Sequence, residues 1–239
     1  MNYLVIDLEM CKVPRDYRSK GYKYANETIQ IGAVLLDEEF KRIGTLSQFV
    51  HPEHGVIDYF IENLTGIKNG QVKHAPRLQE ALLHMLNWIG DREYKVYAWS
   101  GSDRAQILHE IKAKNIVDEK IASFMEESRW VDYQDIFMMR YEMSRKMSLE
   151  EALGRADIDP KGKFHDGMDD AVNTGLLVEK LEMNPDYQLI SYEMPEKPSE
   201  PPHFRPTRSS DKGTSVRSSL DTLAYNSRRI SIPSSYSSP

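Results

Sequence analysis

Two carboxylates end an apolar segment near the start of the chain, in the sequence Asp7-Leu8-Glu9. In a β-strand, residues two apart project from the same face, so Asp7 and Glu9 would point together while Leu8 points to the opposite face. Burying two neighbouring carboxylates is costly because they repel each other and lose hydration. A divalent cation would neutralise them, whereas the alternative for this motif alone is a solvated strand end.

Asp103 is the second candidate, because it follows an apolar segment that predicts a strand over Lys95–Ala98. If Ser100 caps the next helix, Asp103 occupies the third helical position. A carboxylate is stabilised there by the unpaired N–H groups and the helix dipole. Helix capping is therefore a sufficient structural explanation, and ligation of a metal is the functional alternative.

The third segment, FHDGMDDA, contains a histidine five residues before an aspartate. We expect Asp170 to lie one turn into the last long helix, on the side of small residues that include Gly175 and permit close packing. His165 precedes it on a loop, so the two side chains can share one cleft. An imidazole, with an ordinary pKa of about 6.5, is suited to act as a general base near neutral pH.

The alternative for this segment is that Asp166 and Asp169 cap the helix and that His165 is an ordinary loop residue. Taken together, however, the three segments provide hard oxygen ligands and a proton acceptor, which two-metal hydrolysis of a phosphodiester requires. The candidate site consists of Asp7, Glu9, Asp103, His165 and Asp170.

The elements that position these residues can be predicted from hydrophobic periodicity. Three closely spaced strands, suited to an antiparallel meander, are expected at Tyr3–Leu8, Ile29–Leu36 and Thr45–Val50. A helix with one apolar face follows, marked by Leu78, Leu82, Met85 and Ile89, and then the strand Lys95–Ala98.

Further helices are expected at Asp103–Lys114, Tyr133–Met143, Ser148–Ala156 and Asp166–Leu181. Ser148 and Glu151 fit a capping box. This order of strands and helices predicts an α/β domain in which a mixed sheet carries helices on its faces.

The composition is that of a globular protein, with 40% hydrophobic and 28% charged residues in 239. The single cysteine, Cys11, excludes an internal disulfide and a cysteine-based zinc cluster. The N-terminus lacks the features of a signal peptide, and no apolar run approaches the roughly 18 residues of a membrane span. We therefore expect a cytoplasmic protein without membrane association.

The composition changes near the C-terminus, where Pro, Ser and Arg dominate from Pro195 onward. We assign residues 1–190 to one domain and 191–239 to a disordered tail. The tail is basic, and its alternative roles are a solvated extension or contact with a protein partner or RNA. The net charge of −6 argues against a generally basic nucleic-acid binder, although carboxylates that hold metals attract phosphate once the metals are bound.

The segments VIDLEM, WSGSDRAQIL and FHDGMDDA occur in the order and at separations similar to those of the DEDDh exonucleases in the DnaQ-like, ribonuclease H-like superfamily. Between them, Leu64-Thr65-Gly66-Ile67 resembles the LTGI substrate loop of that family. The resemblance covers roughly residues 3–182. It is strongest to the branch that contains exoribonucleases trimming histone mRNA and small RNA ends, together with KapD-like sporulation inhibitors.

This resemblance implies a ribonuclease H-like fold with a mixed five-stranded sheet and helices on both faces. It implies that two Mg²⁺ or Mn²⁺ ions are held, with Asp7 bridging them, and that His165 deprotonates the attacking water. The products would be nucleoside 5′-monophosphates. The metal ligands it implies are Asp7, Glu9, Asp103 and Asp170.

For the terminal nucleotide, the resemblance implies contacts with Met10, Leu64 and Thr65. The chain departs from the common family pattern at Cys11, Ser100 and Ser102, and these departures affect the nucleotide contacts rather than the metal ligands. We expect a monomer that acts on the 3′ ends of single-stranded RNA or DNA, with RNA favoured. The alternatives are a DNA proofreading or repair exonuclease and a regulatory protein-binding module on the same fold.

Overall fold

A mixed five-stranded sheet lies at the centre of the computed structural model, which describes residues 1–19 and 22–194. The sheet order is β3-β2-β1-β4-β5, with β1 at Asn2–Lys12, β2 at Asn26–Leu36, β3 at Arg42–Phe49, β4 at Tyr94–Ala98 and β5 at Trp130–Asp132. The first three strands form an antiparallel meander, whereas β4 is parallel to β1 and β5 is parallel to β4. The predicted ribonuclease H-like α/β fold with a mixed five-stranded sheet is confirmed.

Helices connect and cover these strands. They are α1 (Arg15–Ser19), α2 (Tyr59–Thr65), α3 (Asn69–Val72), α4 (Leu78–Ile89), α5 (Ser102–Ala113), α6 (Glu119–Phe124), α7 (Tyr133–Arg140), α8 (Leu149–Arg155) and α9 (Gly167–Met183), with a 3-10 turn at Glu127–Arg129.

The two faces of the sheet have separate cores because side chains alternate along β1. Leu4 and Ile6 pack on one face with the apolar sides of α4, α5 and α6. Val5 packs on the other with α7, α8 and α9. The four residues predicted to mark the apolar face of α4 are all fully buried.

Several predicted boundaries were wrong. The helix that begins at Tyr133 ends at Arg140 rather than at Met143, and β3 spans Arg42–Phe49 instead of Thr45–Val50. The first strand runs from Asn2 to Lys12 instead of ending at Leu8, because its pairing with β2 continues past the bulge. The sequence pattern also missed α1, α2, α3, α6 and β5, because these elements are too short to display a helical or strand period.

The capping-box prediction at α8 is half correct. The Ser148 hydroxyl accepts a hydrogen bond from Glu151 N over 3.1 Å, as expected of an N-cap. The Glu151 carboxylate does not complete the box, because it accepts hydrogen bonds from Arg145 and Arg155.

The close approach between α9 and the sheet occurs at a pair of glycines that the sequence did not single out as a pair. A Cβ at Gly32 of β2 would overlap the backbone carbonyl of Gly167, the first residue of α9. At Gly175, which was expected to permit the close packing, a Cβ would lie 3.7 Å from its nearest neighbour, an ordinary contact. The correction matters because Gly167 stands directly beside the candidate site.

The last described residues, up to 194, contain no helix or strand after Met183. The predicted tail lies outside the described residues from 195 onward. Over the part of the chain that is described, no helix combines the length and the apolar character that a bilayer crossing requires.

Candidate active site

The second half of β1 brings two of the predicted carboxylates to the face that α9 covers. Asp7 pairs with Gly32 of β2, and Glu9 pairs with Gln30. Directly after Glu9 the register shifts through a bulge, which ends the regular alternation. Glu9 is buried, with 8% of its surface exposed, and Asp7 is half-buried.

Asp103 approaches β1 from α5, but not in the way that was predicted. Gly101 is the N-cap of α5 and Asp103 its second residue, so the expectation that Ser100 caps the helix with Asp103 in third position is wrong. The buried carboxylate of Asp103 accepts a hydrogen bond from Leu8 N over 3.1 Å. The carboxylate therefore fastens α5 to the strand between Asp7 and Glu9.

Asp170 is the buried carboxylate of α9. Its Oδ2 accepts a hydrogen bond from His165 N over 2.8 Å, whereas its buried Oδ1 has no hydrogen-bond partner in the described part of the chain. Asp166 is the N-cap, as the structural alternative for this segment predicted, and accepts from Met168 N and Asp169 N. Capping by Asp166 and burial of Asp170 thus occur together.

His165 lies on the exposed loop before α9 with a backbone φ of 65°. This left-handed conformation is uncommon for a residue with a Cβ, and such residues concentrate at functional sites. One ligand atom from each of Glu9, His165 and Asp170 lies within 4.8 Å of the other two. The structure thus brings His165 to the same cleft as these carboxylates.

The carboxylates oppose one another's ionisation. Burial raises the pKa of Glu9 to about 8, with further increases from Asp170, Asp166 and Asp103, while Lys163 acts in the opposite direction. Burial also raises the pKa of Asp7 well above its ordinary value, and Asp103 is the strongest of the neighbouring charges that add to this effect. These interactions show that Asp7, Glu9, Asp103 and Asp170 share one region of high negative potential.

Hydrogen bonds moderate the same effect at the other two acids. Burial raises the pKa of Asp103 to about 7, although the N–H of Leu8 stabilises its ionised form. Burial raises the pKa of Asp170 to about 6, against the stabilising hydrogen bond from His165 N. Shifts of the pKa of this size are common at functional sites, where a bound charged partner changes the equilibrium between the protonated and the ionised carboxyl.

Gln30 is a structural residue of the site that the sequence did not reveal. It is 2% exposed, and its Oε1 accepts a hydrogen bond from Gly167 N over 3.0 Å. Its Nε2 donates to Ser47 Oγ over 3.2 Å. A polar residue inside the apolar segment of β2 was the available signal, because a buried amide needs partners.

The residues expected to contact a nucleotide lie on two elements, Met10 on β1 and Leu64 and Thr65 on α2. Thr65 is buried at the end of α2, where its hydroxyl donates to Ile61 O and accepts from Ile67 N. Leu64 is half-buried, and Met10 is partly buried in the core on the α4 side of the sheet. Their contact with substrate stays a prediction.

The donor set fits divalent cations. Oxygen ligands with one imidazole are suited to Mg²⁺ or Mn²⁺. The buried Oδ1 of Asp170 has no hydrogen-bond partner within the described residues, and such an atom is costly unless something pairs with it. The raised pKa values of the surrounding acids likewise indicate that positive charge is needed for all of them to ionise.

Comparison with known proteins agrees with this geometry. The family model of exonucleases of the RNase T type matches residues 4–178. The chain is 28% identical over 184 residues to the Homo sapiens protein ERI1 exoribonuclease 2, and the match covers 67% of this chain. It spans only 26% of that relative's own length.

Two solved structures share the fold. A full-length 3′-exonuclease has a TM-score of 0.67 and 19% identity, with coverage of 82% of this chain and 93% of that one. The nuclease domain of 3′hExo, a DEDDh family member bound to rAMP, has a TM-score of 0.64 and 19% identity, with coverage of 80% and 97%. With the family model matched over residues 4–178 and the carboxylates and histidine gathered in one cleft, the chain belongs to the exonuclease family.

Proposed function

We propose that the chain is a 3′–5′ exonuclease that releases nucleoside 5′-monophosphates from single-stranded nucleic acid, with RNA as the favoured substrate. The observation that carries this proposal is the buried Oδ1 of Asp170, which has no hydrogen-bond partner among residues 1–19 and 22–194 and lies among acids whose pKa values burial raises. A fold that keeps such atoms without partners loses stability, which is typical of a site maintained for function.

Asp7, Glu9, Asp103 and Asp170 would hold two Mg²⁺ or Mn²⁺ ions. When bound, the ions supply charge neutralisation and Lewis acidity for hydrolysis of a phosphodiester. The protein holds the ligands rigidly before any ion arrives, because Leu8 N orients Asp103 and His165 N orients Asp170. Rigid positioning of charged groups lowers the reorganisation that the reaction requires.

His165 is the proposed general base. Its backbone is fixed by Asp170, and its side chain stands at the exposed rim of the cleft. An imidazole in this position can take a proton from the attacking water and pass it to solvent. A neutral imidazole is required for that role.

Two arguments favour RNA and single strands. The curated relative in Homo sapiens is named an exoribonuclease, although this chain spans about a quarter of its length. A 3′ end must be unpaired to enter a narrow acidic cleft. A DNA-directed exonuclease is the second candidate, because the choice between RNA and DNA depends on how a site contacts the 2′-hydroxyl.

The test is to incubate the full chain with 5′-labelled single-stranded RNA, or with DNA of the same sequence, in Mg²⁺, Mn²⁺ or EDTA. We expect a ladder of products shortened stepwise from the 3′ end, no products in EDTA, and faster loss of RNA. Faster degradation of DNA would favour the second candidate. Absence of cleavage in both metals would overturn the proposal and favour a regulatory protein on the same fold.

Variants separate the site from contaminating nucleases. Asp7→Asn should abolish cleavage while the protein remains folded, as judged by circular dichroism. Asp91→Asn makes the same chemical change at an exposed position remote from the cleft and should cleave like the parent. Equal activity of Asp7→Asn and the parent would show that the assigned site is wrong.

A further inference from the structure

The loop before α9 is fastened to that helix at every second residue. Each of three backbone N–H groups donates to a side chain on α9: Lys161 N to Asn173 Oδ1 over 2.7 Å, Lys163 N to Asp169 Oδ2 over 2.8 Å, and His165 N to Asp170 Oδ2 over 2.8 Å. Because all three acceptors belong to one helix, the loop is held in a defined path. Its side chains are therefore presented at fixed places along the rim of the cleft.

Lys163 reaches across the cleft from this loop. Its Nζ lies 3.6 Å from the place that a Cβ would occupy on Gly66, the left-handed C-cap of α2. Its charge also acts on Glu9, since it opposes the rise in the pKa of that carboxyl. The ammonium thus lies between the acidic cluster and the turn Leu64-Thr65-Gly66-Ile67.

The Lys163 ammonium group forms no salt bridge that would stabilise the described part of the fold. Lys163 is exposed and makes no ion pair with another residue of the described ranges 1–19 and 22–194. The backbone that carries it is nevertheless fixed by Asp169. A lysine held by its backbone, with its charged end open to solvent at the entrance of a cleft, is suited to bind an anion.

We propose that Lys163 binds a non-bridging oxygen of the substrate's terminal phosphodiester and holds it between the acidic cluster and the Gly66 turn. This inference rests on the proposed exonuclease function and adds a substrate-binding residue to it. A cation is needed at this place because the polyanionic substrate must approach five acids, namely Asp7, Glu9, Asp103, Asp166 and Asp170. Lysine provides a charge that does not depend on metal occupancy.

The test compares Lys163→Ala, Lys163→Arg and the matched control Lys161→Ala in the full chain. Lys161 is on the same loop, carries the same charge and has the same kind of backbone anchor, but it borders a surface pocket with Asp157 and Lys180. The probe is a 5′-labelled single-stranded RNA in Mg²⁺, and kcat/KM is measured over a series of KCl concentrations.

We expect Lys163→Ala to lower kcat/KM by roughly 10- to 100-fold at low salt, the range for losing a hydrogen bond to a charged group. The slope of log kcat/KM against log salt should become shallower by about 0.7, the value for one phosphate contact on a single strand. Lys163→Arg should retain most activity and the full slope. Lys161→Ala should behave like the parent.

Two results would overturn the inference. If Lys163→Ala and Lys161→Ala change the salt slope equally, the loop attracts the substrate only through its overall positive charge, and Lys163 makes no specific phosphate contact. If Lys163→Ala leaves the slope unchanged but lowers the Mg²⁺ concentration for half-maximal activity, the lysine is a counter-ion of Glu9. Inactivity of the parent protein itself would instead refute the proposed function, so the two failures can be distinguished.

Discussion

Gln30 Oε1 accepts a hydrogen bond from Gly167 N over 3.0 Å and so joins the strand that pairs with Glu9 to the first residue of the helix that carries Asp170. The bond is buried, and it determines how two parts of the cleft meet. Because Gln30 is not itself one of the proposed metal ligands, it would affect the site by positioning Asp170 relative to Glu9.

Replacing Gln30 by Leu tests this role. The change leaves Gly167 N buried without a partner, which should cost about 1–3 kcal/mol in the free energy of unfolding. The Mg²⁺ concentration for half-maximal activity should also rise, because Asp170 is no longer held against Glu9. Urea denaturation and metal titration measure the two effects. Gln48→Leu on β3 is the control, and equal effects of both changes would contradict the assignment.

The two glycines near α9 should respond differently to alanine. At Gly32 a Cβ overlaps the backbone of Gly167, so Gly32→Ala must displace the start of α9 and should reduce both stability and activity. At Gly175 the added Cβ meets only ordinary contacts, and alanine in a helix interior is favoured by about 0.5–1 kcal/mol. Thermal melts of the two variants should therefore shift in opposite directions. Similar shifts would show that the approach at Gly32 is not rigid.

The metal-free protein should lose stability as pH rises. Burial raises the folded-state pKa of Glu9 to about 8 from an ordinary value of 4.5. A carboxyl shifted upward contributes stability that is fully present below its unfolded pKa and is lost as pH rises through the folded value. In EDTA, the melting temperature of the parent should fall more between pH 6 and pH 8.5 than that of Glu9→Gln.

Added Mg²⁺ should offset this loss in the parent, and more strongly at pH 8.5 than at pH 6, because metal binding displaces protons from its ligands. Glu9→Gln should respond less to the metal at either pH. A parent whose metal-induced shift does not depend on pH would contradict a site made of protonated carboxyls.

A buried ionic cluster between β2 and the C-terminal end of α5 should be among the most sensitive parts of the fold. Lys114 is paired with Glu27 at 2.7 Å and with Glu110 at 2.8 Å, and both acids are fully buried. Burial would raise the pKa of Glu27, but Lys114 and backbone N–H groups together lower it. Glu27 also accepts hydrogen bonds from the loop that leads to α2.

Lys114→Met would leave two carboxylates buried without their cation, which should cost about 3–5 kcal/mol in the free energy of unfolding. Lys112→Met, at an exposed position on the same helix, should change it little. Chemical denaturation at neutral pH measures both. If the two variants have the same free energy of unfolding, the ionic cluster stabilises the fold no more than well-packed apolar groups would.

The sequence was sufficient to predict the long helices and strands, because burial of one face makes apolar residues recur at a regular spacing. The apolar stripe of α4 and the three strands of the meander could be predicted for that reason. The same reasoning placed Asp103 and Asp170 correctly near the starts of helices, but Asp7 and Glu9 lie inside β1 rather than at its end. Short elements such as α2 and β5 could not be predicted, since three to seven residues do not establish a period.

The amino-acid sequence by itself determined which side chains are available and roughly where each stands along its own element. Only the tertiary structure decided what those side chains face: Asp103 accepts from Leu8 rather than capping its helix, and α9 approaches through Gly32 and Gly167 rather than Gly175. The physical reason is that a capping preference and a period are local, whereas the partner of a buried carboxylate is chosen by packing between elements distant in the chain.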